Sequence, residues 1–161
     1  MKNATSRTCT YFKQPSMHLD QRRSRRIIDY LPIEVHAAGK KNARCVAGPF
    51  SGRIIDISHH GACLLMTQVL RNGFHVFYST RENNSLLLQL TIDRPPDLDR
   101  CTLSAYPVWI DFFQRQQIKA FKMGIEFTED AERDRVQQLR EALHRNQQER
   151  AKWWLDHSGI G

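Results

Sequence analysis

Two short stretches carry side chains whose types and spacing suit recognition of a compact anion. The first is Arg22-Arg23-Ser24-Arg25-Arg26, in which Arg22 and Arg26 form an Arg-x-x-x-Arg pair. A guanidinium is planar, keeps its charge at physiological pH, and meets a phosphate or the O6/N7 edge of guanine with two parallel hydrogen bonds. Two of them four residues apart on one arm can grip a dianion from two sides. The second stretch is Asp56-Ile57-Ser58-His59-His60-Gly61. Asp56 can accept hydrogen bonds, Ser58 can donate and accept, and Gly61, lacking a Cβ, admits a close approach by ligand or backbone. Each stretch alone also has an ordinary explanation, a solvated basic arm and a capped turn.

The elements around them are short and strand-like. Ile33, Val35 and Ala37 alternate with Pro32, Glu34 and His36 over 31–38, a half-buried strand that Gly39-Lys40-Lys41-Asn42 breaks. A second strand over 48–57 leads into the polar turn and a third over 62–67 leaves it. Asn72-Gly73 marks a turn, Phe74 to Tyr78 a short strand, and Arg81-Glu82-Asn83-Asn84 a loop, so 69–85 is an insertion or an extra hairpin. Strands over 86–92, 101–112 and 118–127 complete the set, with a turn at Arg94-Pro95-Pro96-Asp97 and a polar loop at Gln114-Arg115-Gln116-Gln117. Pro107 removes one ladder donor and implies an edge or a bulge. After Thr128 the period lengthens: Thr128 or Asp130 can cap, acidic residues crowd the first turn, and Val136, Leu139 and Leu143 share a stripe, which predicts a helix from about Ala131. Trp153-Trp154-Leu155 is a last apolar patch, read as packing back on the barrel, with a partner interface as the other choice.

A chain of 161 residues with 40% hydrophobic residues and a mean hydropathy of −0.57 holds one domain with its own core. No apolar run approaches the roughly 20 residues of a membrane span, and the first 20 residues lack the apolar core of a secretory signal, so the expected location is the cytoplasm. The net charge of +7 is uneven. Seven basic residues precede residue 30, against Asp20 and Asp29. Such an arm calls for an anionic partner: a nucleotide, nucleic acid or a membrane surface. Cys9, Cys45, Cys63 and Cys101 are scattered, which fits reduced and mostly buried thiols. His59 and His60 have no companions at ligand spacing, so they read as variable turn residues and no metal is expected. With no Gly-rich phosphate loop, no nucleophile elbow and no second carboxylate at a useful spacing from Asp56, an enzyme is not expected.

In order and spacing, these motifs resemble the PilZ domain family over roughly Gln21 to Leu143. That family pairs an Arg-x-x-x-Arg arm with an Asp/Asn-x-Ser-x-x-Gly turn, here Arg22 and Arg26 with Asp56, Ser58 and Gly61. Pro107-Val108-Trp109-Ile110 and Met123-Gly124-Ile125-Glu126-Phe127 are similar to its late strands and its closing Gly-Ile-x-Phe. The resemblance implies a mainly β fold, a small six-stranded antiparallel β-barrel with a C-terminal α-helix. The layout it suggests is a flexible tail over 1–20, a domain over 21–143 with the arginine arm at 21–30 and the helix from about 130, and a helix extension and tail over 144–161. It also implies that cyclic di-GMP is the ligand and that no cofactor is needed. Arg22 and Arg26 would meet phosphates and guanine edges, Asp56 would accept from guanine N1 or N2, Ser58 would bond a phosphate or base, and Gly61 would leave room for the ring. Arg23 and Arg25 would add only a positive field. The arm would order on binding, and a downstream protein partner would read the change. Two other readings stay open. A nucleic-acid-binding barrel requires aromatic side chains on an exposed strand face, whereas Phe74, Phe77, Tyr78, Trp109 and Phe121 read mainly as core. A ligand-less PilZ-like adaptor is weighed against by the intact Arg22, Arg26, Asp56, Ser58 and Gly61, and the unusual stretch over 69–85 keeps it open.

Overall fold

The computed structural model describes residues 27–92, 100–128 and 133–158, with the side chains of 27–30 left aside. Chain order is β1 (Ile27–Gly39), β2 (Cys45–Ile57), β3 (Gly61–Met66), β4 (Leu70–Arg71), β5 (Phe74–His75), α1 (Tyr78–Arg81), β6 (Leu86–Ile92), β7 (Cys101–Arg115), β8 (Ile118–Phe127) and α2 (Arg133–His157). Six strands close into an antiparallel barrel in the order β1-β2-β3-β8-β7-β6, with β6 pairing back onto β1. This is the expected fold, a six-stranded barrel followed by a helix.

Alternation places the core. Val35, Phe50, Ile54, Leu64, Leu88, Leu90, Leu103 and Met123 point inward and are fully buried, as period-2 patterning requires. Both open ends of the barrel are filled. Val136, Leu139 and Leu143, one stripe of α2, join the same core cluster at the end where β8 finishes. Val69, Val76 and Phe77 join it at the other end, between the exit of β3 and the start of β6. The insertion is therefore a plug. Its Asn72-Gly73 turn joins β4 to β5 as an extra hairpin, but the expected strand to Tyr78 stops at His75. His75 Nδ1 accepts from the backbone N–H of Phe77 and Tyr78, which turns the chain into α1 instead.

Other expectations need correction. The strand from Cys101 runs to Arg115, so Gln114 and Arg115 belong to a hairpin whose turn is only Gln116-Gln117. A bulge between Pro107 and Trp109 reverses the facing of the strand: Ile110 packs on the core, while Trp109 turns outward and is 44% exposed. Tyr78 is also exposed, and Phe74 and Phe121 are only partly buried, so of the five aromatics assigned to the core Phe77 alone is fully covered. Cys45 is exposed, whereas Cys63 and Cys101 are buried. Trp153, Trp154 and Leu155, near the end of α2, are 54%, 65% and 71% exposed instead of packing on the barrel. The turn expected at Arg94-Pro95-Pro96-Asp97, the cap at Asp130, Cys9 and the tail over 1–20 lie outside the described residues.

Candidate functional site

The Asp56–Gly61 turn is built by Ser58. Its N–H donates to the Gly61 carbonyl at 2.8 Å and its hydroxyl donates to the same oxygen at 3.2 Å. Its Oγ in turn accepts from the N–H of His60 and of Gly61, each at 3.3 Å. Ser58 is buried, and its hydrogen-bonding capacity is spent within the turn. Phe127 N–H then donates to the His60 carbonyl at 2.8 Å and ties the turn to the end of β8.

Gly61 has a tertiary reason for its missing side chain. It lies opposite Glu126 in the β3–β8 ladder, and a Cβ there would run into the Ile125 carbonyl oxygen. The two strands can approach only because position 61 is bare.

Asp56 stands on the outer face of β2, half-buried, opposite Ile28 on one side and Cys63 on the other. Cys63 lies opposite Gly124, and Gly124 opposite Trp109. One transverse row thus runs Asp56, Cys63, Gly124, Trp109 across four strands. A Cβ on Gly124 would strike the Trp109 indole at Nε1, Cε2 and Cδ1, so the ring lies flat on the glycine and keeps an outer face in solvent. Asp56 and Trp109 are about 14 Å apart by strand spacing. Trp109 was missed from sequence because regular alternation assigns it to the core. The signal that could have found it is Pro107, which marks the bulge, together with the glycine at 124.

The arginines Arg22, Arg23, Arg25 and Arg26 lie outside the described residues. Ile27, which follows Arg26 directly, lies opposite Ile57, so the chain enters the barrel beside the turn. A cleft of about 630 Å³ follows the same outer face away from the turn, lined by Pro32, Glu34, Ser51, Arg53, Leu65 and Thr67 among others. Asp56, Ser58 and Gly61 do not line it.

His59 reaches α2, where its Nε2 meets the Arg140 guanidinium. Burial, then the charge of Arg140 and that of His60, lower the His59 pKa from the ordinary 6.5. The turn is thereby linked to the helix that closes this end of the barrel. Among the described residues no cluster of His, Cys, Asp and Glu could hold a metal ion, and no helix is long and apolar enough to cross a membrane.

Comparison with known proteins agrees with this architecture. The model of the PilZ domain family matches residues 20–145. Among solved structures, the PilZ domain of YcgR from Escherichia coli, with c-di-GMP, is similar in fold, with a TM-score of 0.56 at 13% identity over 82% of this chain and 98% of that one. No curated protein matches the chain.

Proposed function

Because the chain belongs to the PilZ family, we propose that it is a cyclic di-GMP receptor whose ligand lies along the row from Asp56 to Trp109, under the arginine arm. The observation that carries this reading is the row itself. It puts a carboxylate and an exposed indole at a separation suited to a ligand with two bases, beside the point where the chain leaves Arg26 and enters β1. Arg22 and Arg26 bind phosphates and guanine edges, with Arg23 and Arg25 adding positive field. Asp56 accepts from a guanine N1 or N2, and Trp109 offers its outer face for stacking. Ser58 and Gly61 act through geometry: the first shapes the turn and leaves the ligand its outer edge, and the second lets β3 close on β8. Binding changes the position of the arm, and a protein partner in the cytoplasm reads the altered surface. The protein works by binding and not by catalysis.

A specific observation also supports a nucleic-acid reading. Tyr106 and Trp109 are both exposed on the outer face of β7, as stacking on a single strand would require, and Lys122 lies nearby over Phe113. Calorimetric titration with cyclic di-GMP, beside GTP, GMP and a short single-stranded DNA, separates the two. We expect selective binding of the cyclic dinucleotide. Asp56→Ala and Arg26→Ala should each cost about 1.5–3 kcal/mol, a tenfold to hundredfold loss of affinity, and Trp109→Ala should weaken binding as well. Salt-sensitive binding of DNA without response to the dinucleotide would reject the receptor reading. Silence toward every ligand would leave an interaction adaptor.

A further inference from the structure

The part of α2 beyond Leu143 leaves the barrel. Leu143 is its last buried residue, and from His144 to His157 every side chain is exposed except the partly buried Asn146 and Gln147. At 3.6 residues per turn, Arg145, Glu149, Lys152 and Asp156 fall on one stripe about 60° wide. All four are exposed, and their charges read plus, minus, plus, minus. That order is self-complementary when reversed. If a second copy of the helix lies antiparallel, with a two-fold axis between Arg150 and Ala151, Arg145 faces the partner's Asp156 and Glu149 faces the partner's Lys152. Symmetry repeats both pairs, and no like charges meet.

The apolar residues fit the same axis. Trp153, stacked on His157 with ring centroids 4.5 Å apart, borders the stripe on one side, and Leu155 borders it on the other. Because the axis is perpendicular to both helices, each flank meets its own symmetry copy, so the two Trp153 rings lie on one side of the contact, about 7.5 Å apart along the helix. Trp154 stands more than a quarter turn from the stripe on the helix, its ring meeting that of Trp153 edge-on with centroids 5.4 Å apart. The two barrels sit at opposite ends of the paired helices and do not compete for space.

We propose that residues 144–157 of α2 form an isologous, antiparallel homodimer contact, held in register by the Arg145, Glu149, Lys152 and Asp156 stripe and sealed by Trp153 and Leu155. The inference does not rest on the ligand assigned above. The same four residues could instead pair within one helix at i,i+3 and i,i+4 spacing, and the experiment separates the two arrangements. Sedimentation velocity of the full chain, over a hundredfold concentration range reaching about 100 μM, should show reversible dimerisation of micromolar strength, since the contact is smaller than a standard interface. Arg145→Asp alone should weaken it about tenfold by setting two carboxylates against each other on both sides of the axis. The double swap Arg145→Asp with Asp156→Arg should restore it. Pairing within a helix predicts the opposite, because the double swap puts like charges at 145 and 149 and again at 152 and 156. Trp153→Ser should abolish the dimer and Trp154→Ser should leave it intact, with circular dichroism confirming the helix in each variant. A monomer at every concentration, a double swap no better than the single, equal losses at Trp153 and Trp154, or binding of the tail to phosphatidylglycerol vesicles without self-association would each overturn the proposal.

Discussion

The two ends of the barrel solve one packing problem with different chemistry. Each must cover apolar side chains that a short barrel cannot enclose. At the insertion end the cover is local: Val69, Val76 and Phe77 flank a 2-stranded hairpin and a 4-residue helix, held by His75 Nδ1 and by the Arg81 guanidinium on the Val108 carbonyl. At the turn end the cover is α2, which also touches the Asp56–Gly61 turn through Arg140 and His59. The insertion-end plug meets the proposed ligand row only at the Val108 carbonyl beside Trp109, whereas α2 leans directly on the proposed binding turn through His59. On the proposed reading both ends carry stability, and the turn end has the more direct link to recognition.

The largest effects should come from hollowing the plugs. Phe77→Ala should cost about 3–5 kcal/mol and Leu139→Ala about 2–5 kcal/mol in denaturant titrations. Leu139→Ala should weaken cyclic di-GMP binding in calorimetry more than Phe77→Ala does, through the helix beneath His59. Equal losses of affinity in the two variants would dissolve the distinction between the ends.

The glycines sharpen it further. Gly61→Val forces β3 from β8 and should cost about 1–3 kcal/mol together with most ligand affinity. Gly73→Ala meets nothing within 4 Å and suffers only from its φ of +76°, a cost of about 1–2 kcal/mol, with binding unchanged. Thermal melts with and without ligand read both terms.

The smallest effects concern two histidines, one at each end. Burial lowers the pKa of His75, as it does that of His59, from the ordinary 6.5. The folded protein therefore binds fewer protons than the unfolded chain. The contribution of each group is present above pH 6.5 and is lost as pH falls below it toward the folded value. His59→Gln and His75→Gln should each reduce the fall in melting temperature below pH 6.5, and only His59→Gln should alter the pH dependence of ligand binding. A steeper fall in either variant would show the sign to be wrong.

How much was legible varies along the chain. β6 and β8 were bounded correctly because their alternation is clean and their flanks are polar. The turn was legible because Asp, Ser and Gly at fixed spacing have few other uses. What was not legible is what depends on a neighbour. The facing of Trp109 follows from a bulge that a sequence alternation cannot count, and the task of Ser58 follows from the Gly61 carbonyl coming within its reach. The exposure of Trp153 and Trp154 reflects the reach of α2 beyond the barrel and not the composition of the segment.

Taken alone, the sequence determined the class of fold, the chain order of the two motifs and the sign of the charge that approaches them, because periodicity, turn chemistry and ionisation are local properties. Tertiary structure decided which strands lie side by side. Only the pairing of β3 with β8 brings Asp56, Cys63, Gly124 and Trp109 into one row, and the same approach of β8 makes a glycine necessary at 61. Register and strand order arise from contacts between residues far apart in the chain, and those become visible when the chain is folded.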